Sequence, residues 1–149
     1  MGNESPWPRK RFRYSFQAIP YLEPGDLVVR PKRGGIGEHW GAVLPNGSII
    51  EGQVGVGARE TDYSDFVAPN ERLDIIKPPI EFRDPSVIEY RARLVLSRCD
   101  PYDLFKKNCE HTAMFVATGR ASSGQIFLLS LLVGCSAALL IIKANERSA

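Results

Sequence analysis

The stretch that most restricts the fold runs His39-Trp40-Gly41-Ala42-Val43-Leu44, then Pro45-Asn46-Gly47, then Ser48-Ile49-Ile50-Glu51. Two runs rich in β-forming residues flank an Asn-Gly turn, and such a pattern reads as an antiparallel hairpin. His39 and Glu51 lie at the outer ends of its two strands and are expected roughly opposite one another. Cross-strand partners sit about 4.5–5.5 Å apart at Cβ, close enough for a carboxylate to hold an imidazole. That is the orienting arrangement a general-base histidine needs. Taken alone, the pair reads sooner as a strand-end histidine and a solvated loop acid.

Around the hairpin the chain alternates turn and strand signals. Leu22-Glu23-Pro24-Gly25-Asp26 is a turn launching the strand Leu27-Val28-Val29-Arg30. Gly34, Gly35 and Gly37 form a loop that is not a phosphate-binding loop, because no Lys-Ser/Thr follows and no helix opens after it. Residues 53–57 are glycine-rich, a short strand or a loop, and 59–70 read as irregular surface chain. Leu73-Asp74-Ile75-Ile76 is a short strand closed by Pro78-Pro79. Asp84-Pro85-Ser86 starts a helix, with Val87, Ile88, Ala92, Val95 and Leu96 as its core stripe.

A second helix opens at Asn108-Cys109-Glu110-His111 and ends at Gly119, with Ala113, Phe115, Val116 and Ala117 partly buried. Asn108 is a good N-cap, which puts Cys109 at the first helical position. There the unpaired N–H groups and the helix dipole favour a thiolate over a thiol, making Cys109 a candidate nucleophile. The plainer alternative is a small buried hydrophobe. His111 is a poor partner for Cys109, since residues two apart on a helix point about 200° away from each other. His39 is the only other histidine in the chain, so the base must be sought there.

Composition removes some functions. A net charge of +2 over 149 residues calls for no nucleic-acid partner. Three cysteines (Cys99, Cys109, Cys135) with no paired spacing argue against a disulfide framework and for a reducing compartment. No ligand spacing suggests a metal, and no cofactor is called for. Residues 1–20 form a basic and aromatic arm (Trp7, Arg9, Lys10, Arg11, Phe12, Arg13, Tyr14, Phe16), expected either as a loosely ordered solvated segment or as an element that stacks on nucleic acid or lies on an anionic membrane. No apolar signal-peptide core is visible there. Ile126 to Ile142 is uncharged and largely apolar. As a helix it would be about 25 Å long, a little short of a ~30 Å hydrocarbon core. A C-terminal membrane anchor is expected, over a helix buried in the domain or in an oligomer, with Arg120, Lys143 and Arg147 at its flanks.

Pro24-Gly25-Asp26-Leu27-Val28, His39-Trp40-Gly41 through Ile50, and Asn108-Cys109-Glu110-His111 together resemble the lecithin:retinol acyltransferase family, including the HRAS-like suppressor phospholipases and acyltransferases and their bacterial relatives. Weaker matches are Arg91-Ala92 and Thr118-Gly119 through Ser123-Gly124-Gln125-Ile126, so the likeness spans roughly residues 22 to 126. It implies an α+β, permuted papain-like fold, an antiparallel sheet plus helices, with a C-terminal hydrophobic helix. The implied organisation is an arm over 1–20, a catalytic domain over 21–123, a hydrophobic, membrane-spanning helix over 124–143 and a polar tail over 144–149. By the same resemblance Cys109 is nucleophile and His39 base, with Trp40, Asn108 and His111 in support. The family's third polar residue is usually a histidine; here it is Glu51, which can orient an imidazolium at least as well. The family's usual aromatic after Asn-Cys-Glu-His is Thr112 here, which bears on the acyl pocket. The expected activity is phospholipid acyl hydrolysis or transfer through a cysteine thioester at a phospholipid membrane. The alternatives are a papain-superfamily peptidase or amidase and a non-catalytic membrane-bound interaction module.

Overall fold

The computed structural model describes residues 6–13, 20–53, 57–97 and 109–120. Asn108, Cys99, Cys135 and the apolar segment 124–143 lie outside the described residues. The architecture is α+β: a six-stranded antiparallel sheet with a few helices. Its strands are β1 (Arg9–Arg13), β2 (Leu27–Pro31), β3 (Glu38–Val43), β4 (Ile49–Gln53), β5 (Gly57–Thr61) and β6 (Arg72–Ile76), in the spatial order β1-β6-β2-β3-β4-β5. The helices are α1 (Tyr63–Phe66), α2 (Pro85–Ser97) and α3 (Cys109–Thr118). Among the described residues no helix is long and apolar enough to cross a membrane.

The Asn-Gly hairpin forms as expected, through a three-residue loop. Gly47 N–H bonds the Leu44 carbonyl at 3.0 Å, and Leu44 N–H bonds the Ser48 carbonyl at 2.9 Å. Pro45 suits the first corner of a type I turn, and Gly47, at φ 85°, takes the left-handed position that closes it.

Side chains alternate across the sheet with period two and build two cores. On one face Leu27, Val29, Trp40, Ala42, Ile50 and Ile76 pack with Ile88 and Ala92 of α2 and Ala113, Val116 and Ala117 of α3. On the other, Val28, Val43, Ile49, Leu73 and Ile75 pack with Phe66 and Val67. Each of the valine, leucine, isoleucine and phenylalanine side chains contributes about 1.5–3 kcal/mol by leaving water, so both faces hold the sheet.

Three expectations are revised. Residues 9–13 are not a loose arm but an edge strand paired with β6, in register Arg11↔Asp74. Their charge is used internally, because Arg9, Arg11 and Arg72 converge on the fully buried Asp74. Within 59–70, read as irregular surface chain, residues 59–61 are strand, Tyr63–Phe66 form α1, and Phe66 and Val67 are buried. β5 lies at the sheet edge and is held by Glu60 to Asn46 and Ser48 and by Arg59 to Glu51, so it shows no apolar alternation. Within α2, capped by Asp84 Oδ1 on the N–H groups of Ser86 and Val87, Val87 is 39 % exposed while Ile88 and Ala92 are buried. Val87 sits one residue, about 100°, off the stripe that Ile88, Ala92, Val95 and Leu96 form.

Candidate active site

The β3–β4 ladder pairs Val43 with Ile49, Ala42 with Ile50 and Gly41 with Glu51, and stops there. One more step would pair Trp40 with Gly52. The N-terminal tip of α3 occupies that opening instead. Val43 turns its backbone groups toward the β2 side, bonding Asp26 and Gly25, so Glu38 and Trp40, of opposite parity, turn theirs toward β4. With no β4 partner, they meet the sulfur: Trp40 N–H donates to Cys109, and the thiol donates to the Glu38 carbonyl at 3.8 Å. Glycine at position 52 admits this approach without displacing the helix tip. A β-carbon there would lie 3.1 Å from Cys109 Cα and 3.4 Å from its backbone nitrogen. Cys109 is the first residue of α3, as expected. It is 4 % exposed, yet polar groups rather than hydrocarbon line one side of it.

His39 and Glu51 meet, though not as direct cross-strand partners. Glu51 stands opposite Gly41 on one side and Arg59 on the other, and His39 reaches it diagonally. The placement follows from period two: both side chains emerge on the face opposite α3. His39 Nε2 lies 2.5 Å from Glu51 Oε2, and Arg59 Nε donates to Glu51 Oε1 at 2.7 Å. With Nε2 committed to Glu51, Nδ1 is the ring nitrogen left for Cys109, whose thiol is hydrogen-bonded to this histidine. The missing side chain at Gly41 leaves room for Ile49 and Phe66. Phe66 in turn lies against the His39 ring, centroids 5.7 Å apart.

The electrostatics of the three groups agree in sign. Burial pushes the Cys109 thiol up, but hydrogen bonds from His39 and Trp40 N–H outweigh it and hold the sulfur below the usual thiol range. Burial pushes His39 down, and its bonds to Cys109 and Glu51 reverse that, leaving the imidazole above its ordinary value. Burial raises Glu51, and the bonds from His39 and Arg59 hold it below the ordinary carboxylate range. Both shifts run in the direction that favours a thiolate–imidazolium pair.

The supporting residues divide. Trp40 contributes its backbone N–H. Its indole lies on the helix-bearing face, in the core that includes Cys109, under the Arg9 guanidinium at 5.5 Å. His111 sits half-buried on α3, and the ring joined to the sulfur is that of His39. Asn108 lies outside the described residues. Sequence reasoning missed Gly52, Arg59, Phe66 and Arg30. Reading residues 53–57 as a second hairpin turn would have paired Glu51 with Arg59 by opposite charge; nothing local marks the other three. Among the described residues no group of three or more His, Cys, Asp or Glu could hold a metal ion. No family model, no curated protein and no solved structure gives a significant match to the chain.

Proposed function

We propose that the protein is a thiol-dependent phospholipid acyl hydrolase or acyltransferase of the lecithin:retinol acyltransferase type, built on a permuted papain-like arrangement. The observation that carries this reading is the Glu51–His39 contact of 2.5 Å with the imidazole hydrogen-bonded to a thiol at a helix tip. The Cys109 thiolate attacks the ester carbonyl, and the N–H groups at the start of α3 stabilise the oxyanion. The carbon–oxygen bond breaks as His39 gives its proton to the departing alkoxide. Water or an alcohol or amine acceptor, deprotonated by His39, then attacks the thioester and releases the thiolate. Glu51, anchored by Arg59, keeps the ring in position and stabilises its protonated form. The apolar segment 124–143 would hold the domain at the bilayer that supplies the substrate.

The test is incubation of the full chain with phosphatidylcholine carrying a labelled acyl group. The expected result is a labelled thioester on Cys109 and release of lysophospholipid, with Cys109→Ala losing at least about 10³-fold in rate. Full lipase activity in Cys109→Ala would end the proposal. The 4 % exposure of Cys109 favours a second reading, a non-catalytic membrane-bound interaction module. Iodoacetamide separates the two, since a sealed sulfur stays unlabelled in the native protein.

A further inference from the structure

Arg30 is the one arginine that is buried among the described residues, at 9 % exposure. Buried guanidiniums are normally matched by a carboxylate. Among the half-buried ones, Arg83 meets Glu23 and Asp26, and Arg9 and Arg72 both meet Glu38 and Asp74, while Arg91 lies against the carbonyls of Val116 and Ala117 at the end of α3. Arg30 forms no ion pair among the described residues; the charges of Glu71 and Glu51 reach it only from a distance. Its Nη1 donates to the carbonyl of the adjacent Pro31 at 3.0 Å, its guanidinium lies 5.1 Å from the centre of the Phe66 ring, and its Nε is buried with no hydrogen-bond partner.

The position of this charge matters. Arg30 is the direct cross-strand partner of His39 on β2 and β3, on the same face of the sheet, and both contact Phe66. Two residues further along, Lys32 is exposed and makes no ion pair among the described residues, and its charge is felt at Cys109. A deep fork and a shallower cation on one side of a nucleophile form a graded anion receptor, and the donors Arg30 leaves unused suit a tetrahedral oxyanion.

We infer that Arg30, with Lys32 at the rim, receives a phosphate oxyanion of the substrate and so sets the acyl ester against Cys109. The inference rests on the acyl-transfer reading for its lipid form, but the anion site can be tested without it. Structural need alone does not account for Arg30, since a methionine would fill the same apolar space against Phe66 without burying an unpaired charge. The arrangement makes sense when a phosphate completes it.

The experiment measures Cys109 alkylation in the full chain by iodoacetate and by iodoacetamide. Their rate ratio cancels any change in the reactivity of the sulfur itself. Wild type is expected to favour the anionic reagent, and inorganic phosphate is expected to slow alkylation relative to potassium chloride of equal ionic strength. Arg30→Gln is expected to lower the iodoacetate preference about 10-fold and Lys32→Gln about 3-fold. Phosphate that gives wild type no protection beyond the chloride control overturns the site, whether or not Arg30→Gln folds. An unchanged ratio in a folded Arg30→Gln overturns it as well. With vesicles of dioleoyl phosphatidylcholine against p-nitrophenyl butyrate, the ratio of kcat/KM for lipid to neutral ester is expected to fall about 30-fold in Arg30→Gln. Phosphate protection with no loss of lipid preference would assign the site to free phosphate and overturn the headgroup role. Absence of hydrolysis of either ester by wild type would instead remove the acyl-transfer reading, leaving the alkylation arm to judge the receptor.

Discussion

Two carboxylates buried in the same sheet have different surroundings. Asp74 faces the helix-bearing side and is met by Arg9, Arg11 and Arg72. Glu51 faces the other side and is met by one arginine and one histidine. Both are almost fully buried, and both take a direct cross-strand arginine, Arg11 in one case and Arg59 in the other. Asp74 is surrounded by guanidinium groups alone, so its network is a static brace tying β1 to β6. At Glu51 one partner can change protonation near neutral pH and also touches a thiol. A buried acid therefore says nothing about chemistry; the titratable neighbour does.

The largest expected effect on that contrast comes from Glu51→Gln. Loss of the carboxylate is expected to reduce kcat/KM about 10²-fold, against a change of under about 2-fold for Asp74→Asn. The pH profile of kcat/KM, whose falling limb follows the proton His39 must hold for the leaving group, carries the same distinction. Cys109 titrates below its ordinary value and His39 above it. Reactivity should thus rise with pH through a depressed thiol value, and the thiolate–imidazolium pair should be lost as pH rises through the raised imidazole value. In Glu51→Gln the imidazolium loses a stabilising bond, so that upper limit moves to lower pH and the thiol limb moves up, narrowing the window. Asp74→Asn should leave both limbs in place, and movement of either would break the comparison.

Gly52→Ala is expected to come next, at about 10-fold in kcat/KM. Its methyl group would press on the Cys109 backbone and force the tip of α3 out by a few tenths of an ångström. An unaltered rate would mean that α3 is not seated in the strand opening. Arg59→Met should cost only about 3-fold, because that guanidinium is about half exposed and water partly replaces it.

The smallest catalytic effect and the clearest structural one belong to Asp74→Asn. It should lower stability by about 1–3 kcal/mol, read by urea unfolding, since the three guanidiniums it leaves behind are partly solvated. Glu51 has a stability signature of its own. Its carboxyl is lowered in the folded state, so its contribution is present above the unfolded-state pKa and lost as pH falls through the folded value. His39 has the opposite sign: its contribution is full below the unfolded pKa and lost as pH rises through the raised one. Wild type should consequently lose more stability than Glu51→Gln on acidification below the ordinary carboxylate range, checked by thermal melts across pH.

Part of this was legible in the chain because it depends on local chemistry. Asn46-Gly47 between β-forming runs dictates a hairpin, Asp84-Pro85 a helix start, and Gly119, at φ 74°, a helix end. Period two places His39 and Glu51 on one face only once the register is set, since a one-residue slip would turn Glu51 to the other side. The exact register was not legible, since the three-residue loop through Pro45 sets Glu51 against Gly41, two residues from His39. Strands β1 and β5 were also hidden, because edge strands are held by charge pairs formed with distant segments and carry no apolar period.

By itself the sequence determined which residues could be nucleophile, base and orienting acid, since only two histidines exist and one is excluded by helix geometry. Tertiary structure alone decided that α3 enters the sheet where the β3–β4 ladder ends, that Gly52 admits it, and that Arg59 and Phe66 fix the acid and the imidazole. It also decided that Arg30 is left buried beside them with no ion pair among the described residues. The physical reason is range: turns, caps and face periodicity act over a few residues of chain. Shared burial and the pairing of charges depend on which remote segments the packed core brings together.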